Sequence, residues 1–295
     1  MRFGVVILPE HHWPQARELW QRAEDLGFDH AWTYDHLRWR WLSDKPWFGT
    51  IPTLTAAATV TSRIRLGTLV ANIRLRDPVM FAKEIMTVDD ISGGRMICGV
   101  GSGGPDRDVL LHDELTRAQW ANRYAEFVEL TDSLLSQRPT AFEGSYYRCH
   151  DLVLQPGCVQ RPRVPLGVAA AGPRGMRLAA RFADTWITMG APNLFDAAPY
   201  ADSVPLVEEQ VSALERACHE VGRDPSTIDR LLVAGPSISG VLDSVGAFQD
   251  AAGLFEEAGI TDFVVHWPRP EFPYQGDPEV LADIAGSLPN ASRRG

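Results

Sequence analysis

The stretch that decides the fold runs from Ile64 to Gly104 and reads IRLGTLVANIRLRDPVMFAKEIMTVDDISGGRMICGVGSGG. The apolar run Ile64–Val70 predicts a β-strand. Pro78 is expected to begin a helix, because the apolar residues that follow it recur near helical spacing. Met96–Val100 predicts a second strand. Both strands are apolar on both faces, as is typical of a buried parallel sheet, so the stretch predicts one β-α-β unit.

The same alternation of strand and helix recurs along the chain. Apolar runs predict eight strands, with a helix after nearly every one, at Phe3–Leu8, His30–Tyr34, Ile64–Val70, Met96–Val100, Leu166–Ala170, Thr185–Thr188, Arg230–Ala234 and Asp262–His266. Eight such units in 295 residues predict a single α/β domain over residues 1–295, a (β/α)8 TIM barrel. An open doubly wound sheet is the alternative. Its glycine motif follows the first strand, whereas here Gly101-Ser102-Gly103 follows the fourth.

One segment interrupts this alternation. Ala141–Pro165 has residues that suit a small hairpin or an irregular excursion rather than a helix, and we interpret it as an insertion in the barrel. Long loops are expected at Ser102–Gln119 and Met189–Ser203. The helices after these loops are expected over Trp120–Ser136 and Val204–Val221.

Charge and composition exclude several classes of partner. The formal net charge is −10, which argues against nucleic acid or an anionic membrane as the main partner. No apolar run reaches the roughly 18 residues of a membrane span, and no signal peptide is evident at the start. The four cysteines form no C-x-x-C pair, so we expect reduced thiols in a cytoplasmic protein, with Cys98 in the core.

In a TIM barrel the active site lies at the carboxyl ends of the strands, which shortens the list of candidates. Asp35-His36 follows the second strand, and His36 can give or take a proton near neutral pH. The nearby Trp39, Trp41 and Trp47 either wall a pocket for a flat ring or form a hydrophobic lid. Glu10-His11-His12 has no third ligand at suitable spacing, so we interpret it as a solvated loop and expect no metal site.

Two glycine-containing segments are candidates for ligand contact. Gly101-Ser102-Gly103-Gly104 is flexible enough for its backbone to lie against a flat ligand. Ala171-Gly172-Pro173-Arg174 begins a helix after a strand, where free N–H groups suit a phosphate, and Arg174 and Arg177 add positive charge. An ordinary tight turn with solvated arginines explains the second segment equally well.

The chain resembles the luciferase-like monooxygenase superfamily, and within it the branch of coenzyme F420-dependent oxidoreductases. The resemblance covers nearly the whole chain and rests on four motifs. These are Thr33-Tyr34-Asp35-His36, Leu66–Val70 with Arg76-Asp77-Pro78, Thr87–Arg95 leading into Gly99–Gly103, and Gly259–Val264. It implies a TIM-like barrel with an insertion, a homodimer, and a cofactor ring over the barrel mouth, either coenzyme F420 or, as the alternative, FMN.

The resemblance also implies roles for individual residues. A non-proline cis peptide at Leu69–Val70 forms a bulge behind the ring, Asp35 and His36 face the ring, and His36 handles the proton. The implied catalytic residues are His36, Asp35 and Trp39. The implied cofactor-binding residues are Asp35, Leu69, Val70, Ala71, Gly101, Ser102, Gly103, Ala171, Gly172, Arg174, Met189 and Gly190.

One departure from the resemblance bears on the substrate. Relatives that oxidise sugar phosphates have a glutamate after the Gly-x-Gly run, where this chain has Gly104. We therefore expect a less polar small-molecule substrate and favour reduction of a C=C or C=N bond. The alternatives are a two-component monooxygenase that uses reduced FMN, and a cofactor-less binding or regulatory subunit.

Overall fold

A computed structural model describes residues 1–103, 115–136, 138–190 and 197–288. Its centre is a closed barrel of eight strands: β1 (Arg2–Val6), β2 (His30–Thr33), β3 (Arg65–Thr68), β4 (Met96–Gly101), β5 (Leu166–Ala169), β6 (Thr185–Thr188), β7 (Asp229–Val233) and β8 (Asp262–His266). Each strand pairs in parallel with the next, and β8 pairs with β1 to close the ring. The predicted TIM barrel is confirmed.

A helix follows each barrel strand. The eight helices are α1 (Trp13–Asp25), α2 (Thr50–Val60), α3 (Pro78–Ile91), α4 (Arg117–Ser136), α5 (Pro173–Phe182), α6 (Tyr200–Glu220), α7 (Val245–Glu257) and α8 (Pro278–Ser287). In the described part of the chain, no helix combines the length and the apolar character that crossing a membrane requires.

Two of these helices begin earlier than the sequence predicts. Helix α4 begins at Arg117 rather than Trp120, because Thr116 and Gln119 form a capping box through reciprocal hydrogen bonds. Helix α6 begins at Tyr200 rather than Val204. Pro205 lies inside the helix, on its exposed side. Residues 104–114 and 191–196 of the two predicted loops lie outside the described residues.

The predicted insertion is a β-hairpin between α4 and β5. Its strands, Thr140–Glu143 and Arg148–Leu152, are antiparallel, which confirms the prediction. The turn is held by the carboxylate of Glu126, which accepts hydrogen bonds from the backbone N–H groups of residues 145–147. The segment that leads back to the barrel is held in the same way by Asp89, which accepts from the N–H groups of Val159 and Gln160.

Side-chain size is matched between neighbouring strands inside the barrel. Along β1, Val6 points into the barrel and Val5 packs outward among the residues under the helices. Trp32 and His30 on β2 each face a glycine of a neighbouring strand. A Cβ at Gly67 would lie 2.2 Å from the Trp32 ring. A Cβ at Gly4 would lie 2.0 Å from Nδ1 of His30, so both positions need glycine. The space these glycines leave is filled by the large side chains of β2.

The amino end of the barrel carries a polar cluster around the buried carboxylate of Asp262. Both oxygens of Asp262 accept hydrogen bonds from the Arg2 guanidinium at 2.7 Å, and Nε2 of His30 lies 3.1 Å from the same carboxylate. Burial alone would raise the pKa of Asp262, but the bonds from His30, Arg2 and Thr261 outweigh it and hold the pKa well below its usual range. Trp32 covers this cluster by donating to His30 at 2.7 Å.

Candidate active site

A cavity of about 390 Å³ opens at the carboxyl ends of the barrel strands. Its lining comes from the ends of six strands, β2 to β7, and the loops after them, with one residue from α6. The lining residues are Tyr34, His36, Trp39, Arg40, Leu69, Val70, Asn72, Gly101, Ser102, Gly103, Ala169, Ala170, Ala171, Ile187, Thr188, Met189, Gln210 and Val233. The volume falls within the range of about 300–1,000 Å³ that is usual for sites that bind small molecules.

The end of β3 shapes one side of the cavity. The peptide bond between Leu69 and Val70 is cis, as the resemblance implied, and both residues line the cavity. The strand resumes at Ala71–Asn72, which pairs with the end of β4. A Cβ at Gly101 would lie 2.4 Å from Cγ2 of Val70, so this glycine is required for the close approach of the two strands.

Aromatic side chains form the wall next to β2. Tyr34, His36 and Trp39 line the cavity, and the His36 ring lies 4.7 Å from the Trp39 ring. Trp47 stacks on Trp39 at 6.3 Å with an interplanar angle of 21°, and Trp41 meets Trp39 edge-on. Trp39 therefore walls the cavity, whereas Trp41 and Trp47 lie behind it and support it.

Behind this wall, a chain of hydrogen bonds fixes Tyr34. Nδ1 of His266 lies 3.0 Å from the carbonyl oxygen of Ala234, which can only accept, so we place the proton on Nδ1. Nε2 of His266 then accepts from the Tyr34 hydroxyl at 2.7 Å, and the Tyr274 hydroxyl donates to Tyr34 at 3.2 Å. Burial lowers the pKa of His266 to about 3 and raises the pKa of Tyr34. The imidazole of His266 is therefore neutral at physiological pH.

We expect His266 to make stability depend on pH. The unfolded chain takes up a proton at this histidine near pH 6.5, but the folded chain resists doing so until about pH 3. The free energy of unfolding should therefore fall by up to about 1.4 kcal/mol per pH unit as the pH drops between these values. The variant His266→Gln can keep both hydrogen bonds without titrating. Urea unfolding from pH 7 to pH 4 should give a shallower slope for this variant, and parallel curves would contradict the assignment.

The structure places Asp35 outside the cavity lining. Its carboxylate is buried and accepts four hydrogen bonds, two from Arg76 at 2.7 and 3.0 Å, one from the Thr50 hydroxyl and one from the N–H of Asn72. Burial alone would lower the pKa of Arg76, but pairing with Asp35 and Glu84 raises it. Asp35 therefore ties the loop after β2 to the loop after β3, and we assign it a positioning role through Asn72, which lines the cavity.

Loss of the Asp35 charge should destabilise the protein far more than loss of the other carboxylate that pairs with Arg76. Asp35→Asn leaves a guanidinium that is 17% exposed without its bidentate partner, which costs about 3 kcal/mol. Glu84→Gln removes a partner that is 39% exposed, which costs less than about 1 kcal/mol. Urea unfolding of both variants measures the difference. Equal effects would show that the Asp35–Arg76 pair is not the anchor.

The other predicted cofactor residues divide into two groups. Leu69, Val70, Gly101, Ser102, Gly103, Ala171 and Met189 line the cavity. Ala71, Gly172, Arg174 and Gly190 do not line it. Ala71 is fully buried in the barrel wall, and Gly172 precedes the exposed start of α5. Arg174 contacts Asn122 at 3.4 Å, and Gly190 adopts a positive φ of 60° where a Cβ would meet Leu232.

Several lining residues were not selected from the sequence. Tyr34, Arg40 and Asn72 follow the second and third strands, and Ala169, Ala170, Ile187, Thr188 and Val233 lie at the ends of later strands. Their position at the strand ends was the available signal. Gln210 lies in the middle of α6, where helical spacing gives no indication that it reaches the cavity.

The loop after β1 differs from its prediction. Glu10 was expected to be solvated, but its side chain is 8% exposed and pairs with Arg269, whose side chain is equally buried, at 2.7 and 3.0 Å. This pair attaches the loop after β1 to the loop after β8. Among the described residues, no group of three or more His, Cys, Asp or Glu side chains is arranged to hold a metal ion.

The fold and the cavity define a class of protein, a TIM barrel that binds a small molecule at the carboxyl ends of its strands. The profile of the luciferase-like monooxygenase family matches residues 1–240. The chain therefore belongs to the luciferase-like monooxygenase family.

The sequence is similar to a named reductase and to a named dehydrogenase. The chain is 29% identical over 234 residues to 5,10-methylenetetrahydromethanopterin reductase of Methanopyrus kandleri, covering 74% of this chain and 63% of the relative. It is 32% identical over 244 residues to F420-dependent glucose-6-phosphate dehydrogenase of Nakamurella multipartita, covering 79% and 66%. The chain thus spans slightly less than two thirds of these relatives.

A solved structure is similar over almost its whole length. An F420-dependent secondary alcohol dehydrogenase in complex with an F420–acetone adduct matches with a TM-score of 0.80 at 20% identity, covering 98% of both chains. At this identity the match supports the fold, and it agrees with the barrel described above.

Proposed function

We propose that this protein is an oxidoreductase that transfers a hydride between coenzyme F420 and a small organic substrate. The observation that carries the proposal is the cavity beside the Leu69–Val70 peptide, with aliphatic side chains and glycine backbone on one side and the aromatic wall of Tyr34, His36 and Trp39 on the other. The name of one of these sequence relatives, the F420-dependent glucose-6-phosphate dehydrogenase, gives the same cofactor.

The residues present fit a flat ring with a polar tail. Leu69, Val70 and Gly101–Gly103 offer aliphatic side chains and backbone against which a ring can lie. Ala171 and Met189 would contact the part of the cofactor that leads towards the start of α5, where Gly172 and Arg174 lie. When bound, coenzyme F420 supplies a ring carbon that gives or accepts the hydride, and the protein supplies orientation and one proton.

His36 is the candidate for the proton. Of the described side chains that line the cavity, three carry titratable groups, Tyr34, His36 and Arg40. The hydroxyl proton of Tyr34 is donated to His266, and burial raises the pKa of this tyrosine. Arginine stays protonated at all physiological pH values. The imidazole of His36 is therefore the group suited to exchange a proton near neutral pH.

The cavity lining favours a substrate of low polarity. Leu69, Ile187 and Val233 present aliphatic side chains, and the described lining contains no carboxylate. We therefore propose reduction of a C=C or C=N bond by the reduced cofactor rather than oxidation of a sugar phosphate. Gly104, on which the sequence argument rested, lies outside the described residues.

Two alternatives and the homodimer also remain proposals. A monooxygenase that uses reduced FMN is supported by the name of the family. A cofactor-less binding subunit is opposed by the open cavity.

A homodimer is supported by Met80 and Ile91 on α3, whose apolar side chains are 61% and 41% exposed. Sedimentation of the protein as a monomer at micromolar concentration would contradict the dimer.

A titration with both cofactors tests the proposed function. We expect the protein to bind coenzyme F420 tightly and FMN weakly, with binding measured from the absorption spectrum of each cofactor. We also expect it to transfer hydride to members of a panel of unsaturated cyclic compounds. His36→Ala should leave the F420 affinity within about threefold and lower turnover about 100-fold or more, because general acid–base catalysis is worth about 10²–10⁴.

The control is His11→Ala, a histidine outside the cavity lining, which should leave turnover unchanged. Tight binding of FMN without binding of F420 would contradict the cofactor. Unchanged turnover of His36→Ala with bound cofactor would contradict the proton role.

A further inference from the structure

Gln210 is a polar side chain that the proposed function does not use. It lies on the inner face of α6, is 9% exposed, and lines the cavity together with Met189 and Thr188. The same cavity lining contains the aliphatic residues Ile187 and Val233. A buried amide in such surroundings is costly unless its donors and its acceptor find partners.

One half of the Gln210 amide is fixed by the protein. Its Oε1 accepts a hydrogen bond from the Thr188 hydroxyl at 2.6 Å. The Thr188 oxygen in turn accepts from the backbone N–H of Gly190 at 3.1 Å. This chain of bonds orients the amide and anchors it to the end of β6. The Nε2 group consequently points away from Thr188.

The other half of the amide is directed at the cavity. Nε2 makes no hydrogen bond to any described residue. It is also not one of the fully buried polar atoms that lack a partner, so Nε2 is exposed to accessible space. Because the residue as a whole is nine-tenths buried and lines the cavity, the space that this nitrogen reaches is the cavity. The site thus contains a fixed, neutral donor with two N–H bonds, and among the described residues neither has an acceptor.

We propose that Gln210 determines specificity by donating a hydrogen bond from Nε2 to an acceptor oxygen of the bound ligand. The ligand chemistry is a carbonyl-type oxygen next to an otherwise apolar body. That oxygen belongs either to the cofactor or to a carbonyl-bearing substrate. Assignment of the oxygen to a substrate rests on the proposed function. The presence of the Nε2 donor in the cavity does not depend on it. A ligand without such an oxygen leaves the buried N–H groups unpaired and is rejected for that reason.

The test compares Gln210→Leu and Gln210→Met with the wild type, using Glu209→Leu as a control on the exposed side of the same helix. The first probe is oxidised coenzyme F420 in a fluorescence titration. Two further probes, 2-cyclohexenone and cyclohexene, are titrated onto the F420-loaded protein. The two rings differ in the carbonyl oxygen, so their affinity ratio reports on the hydrogen bond and not on folding.

Loss of one hydrogen bond should weaken binding about five- to tenfold. Weaker F420 binding in both Gln210 variants places the oxygen on the cofactor. Weaker cyclohexenone binding with unchanged F420 and cyclohexene places it on the substrate. Either result supports the proposal. Unchanged affinity for F420 and an unchanged ratio of cyclohexenone to cyclohexene, in variants with native melting temperature, would overturn it.

Failure of the proposed function gives a different result. Wild-type protein that binds FMN and not F420 overturns the cofactor assignment, and the same variants titrated with FMN, whose ring also carries carbonyl oxygens, then test Gln210. If the wild type binds none of these oxygen-bearing probes, the proposal for Gln210 is overturned as well.

Discussion

All eight strands run in the same direction around a closed ring, and this single constraint places every carboxyl end on one rim. Residues far apart in sequence, such as His36, Gly101 and Met189, line one cavity for that reason. Closure depends in turn on matched side-chain volumes. Trp32 and His30 fill the lower part of the barrel because Gly67 and Gly4 face them without side chains. The barrel is thus packed at the amino end and open at the carboxyl end.

Carboxylates that each accept several hydrogen bonds hold the loops around this frame. Asp35 fixes the loop after β3, and Glu10 fixes the loop after β8 through Arg269. Glu24 accepts from the N–H groups of residues 62–64, just before β3. In each case the carboxylate receives several N–H donors or a guanidinium, which offsets the cost of burying its charge. The net charge of −10 therefore includes acidic groups with structural roles as well as solvated ones.

Much of the fold was predictable from the sequence. The apolar runs of β6 and β8 agree with the structure at both ends, because a strand that is buried on both faces reads as a continuous apolar run. The helix starts at Arg117 and Tyr200 were harder to predict from the sequence. The start at Arg117 depends on a capping box, and the start at Tyr200 requires a proline to be tolerated inside the helix. The position of the cavity followed from the strand ends alone.

The roles of individual side chains were harder to predict, because they depend on contacts across the fold. Asp35 follows a strand end, as a cofactor contact would, but it pairs with Arg76, 41 residues later. The partner of Tyr34 is His266, 232 residues away in sequence. Gln210 reaches the cavity from the middle of a helix, guided by a hydroxyl on β6. Such side-chain contacts arise from packing, so no local pattern reveals them.

The central claim is that one rim of the barrel holds a planar redox cofactor beside the Leu69–Val70 peptide. The most direct measurement is a crystal structure of the protein soaked with oxidised coenzyme F420. The account predicts electron density for the ring in the cavity, between Leu69–Val70 and the wall that contains His36 and Trp39. Density for the ring at another surface, or aromatic side chains that fill the cavity and leave no room for it, would contradict the account.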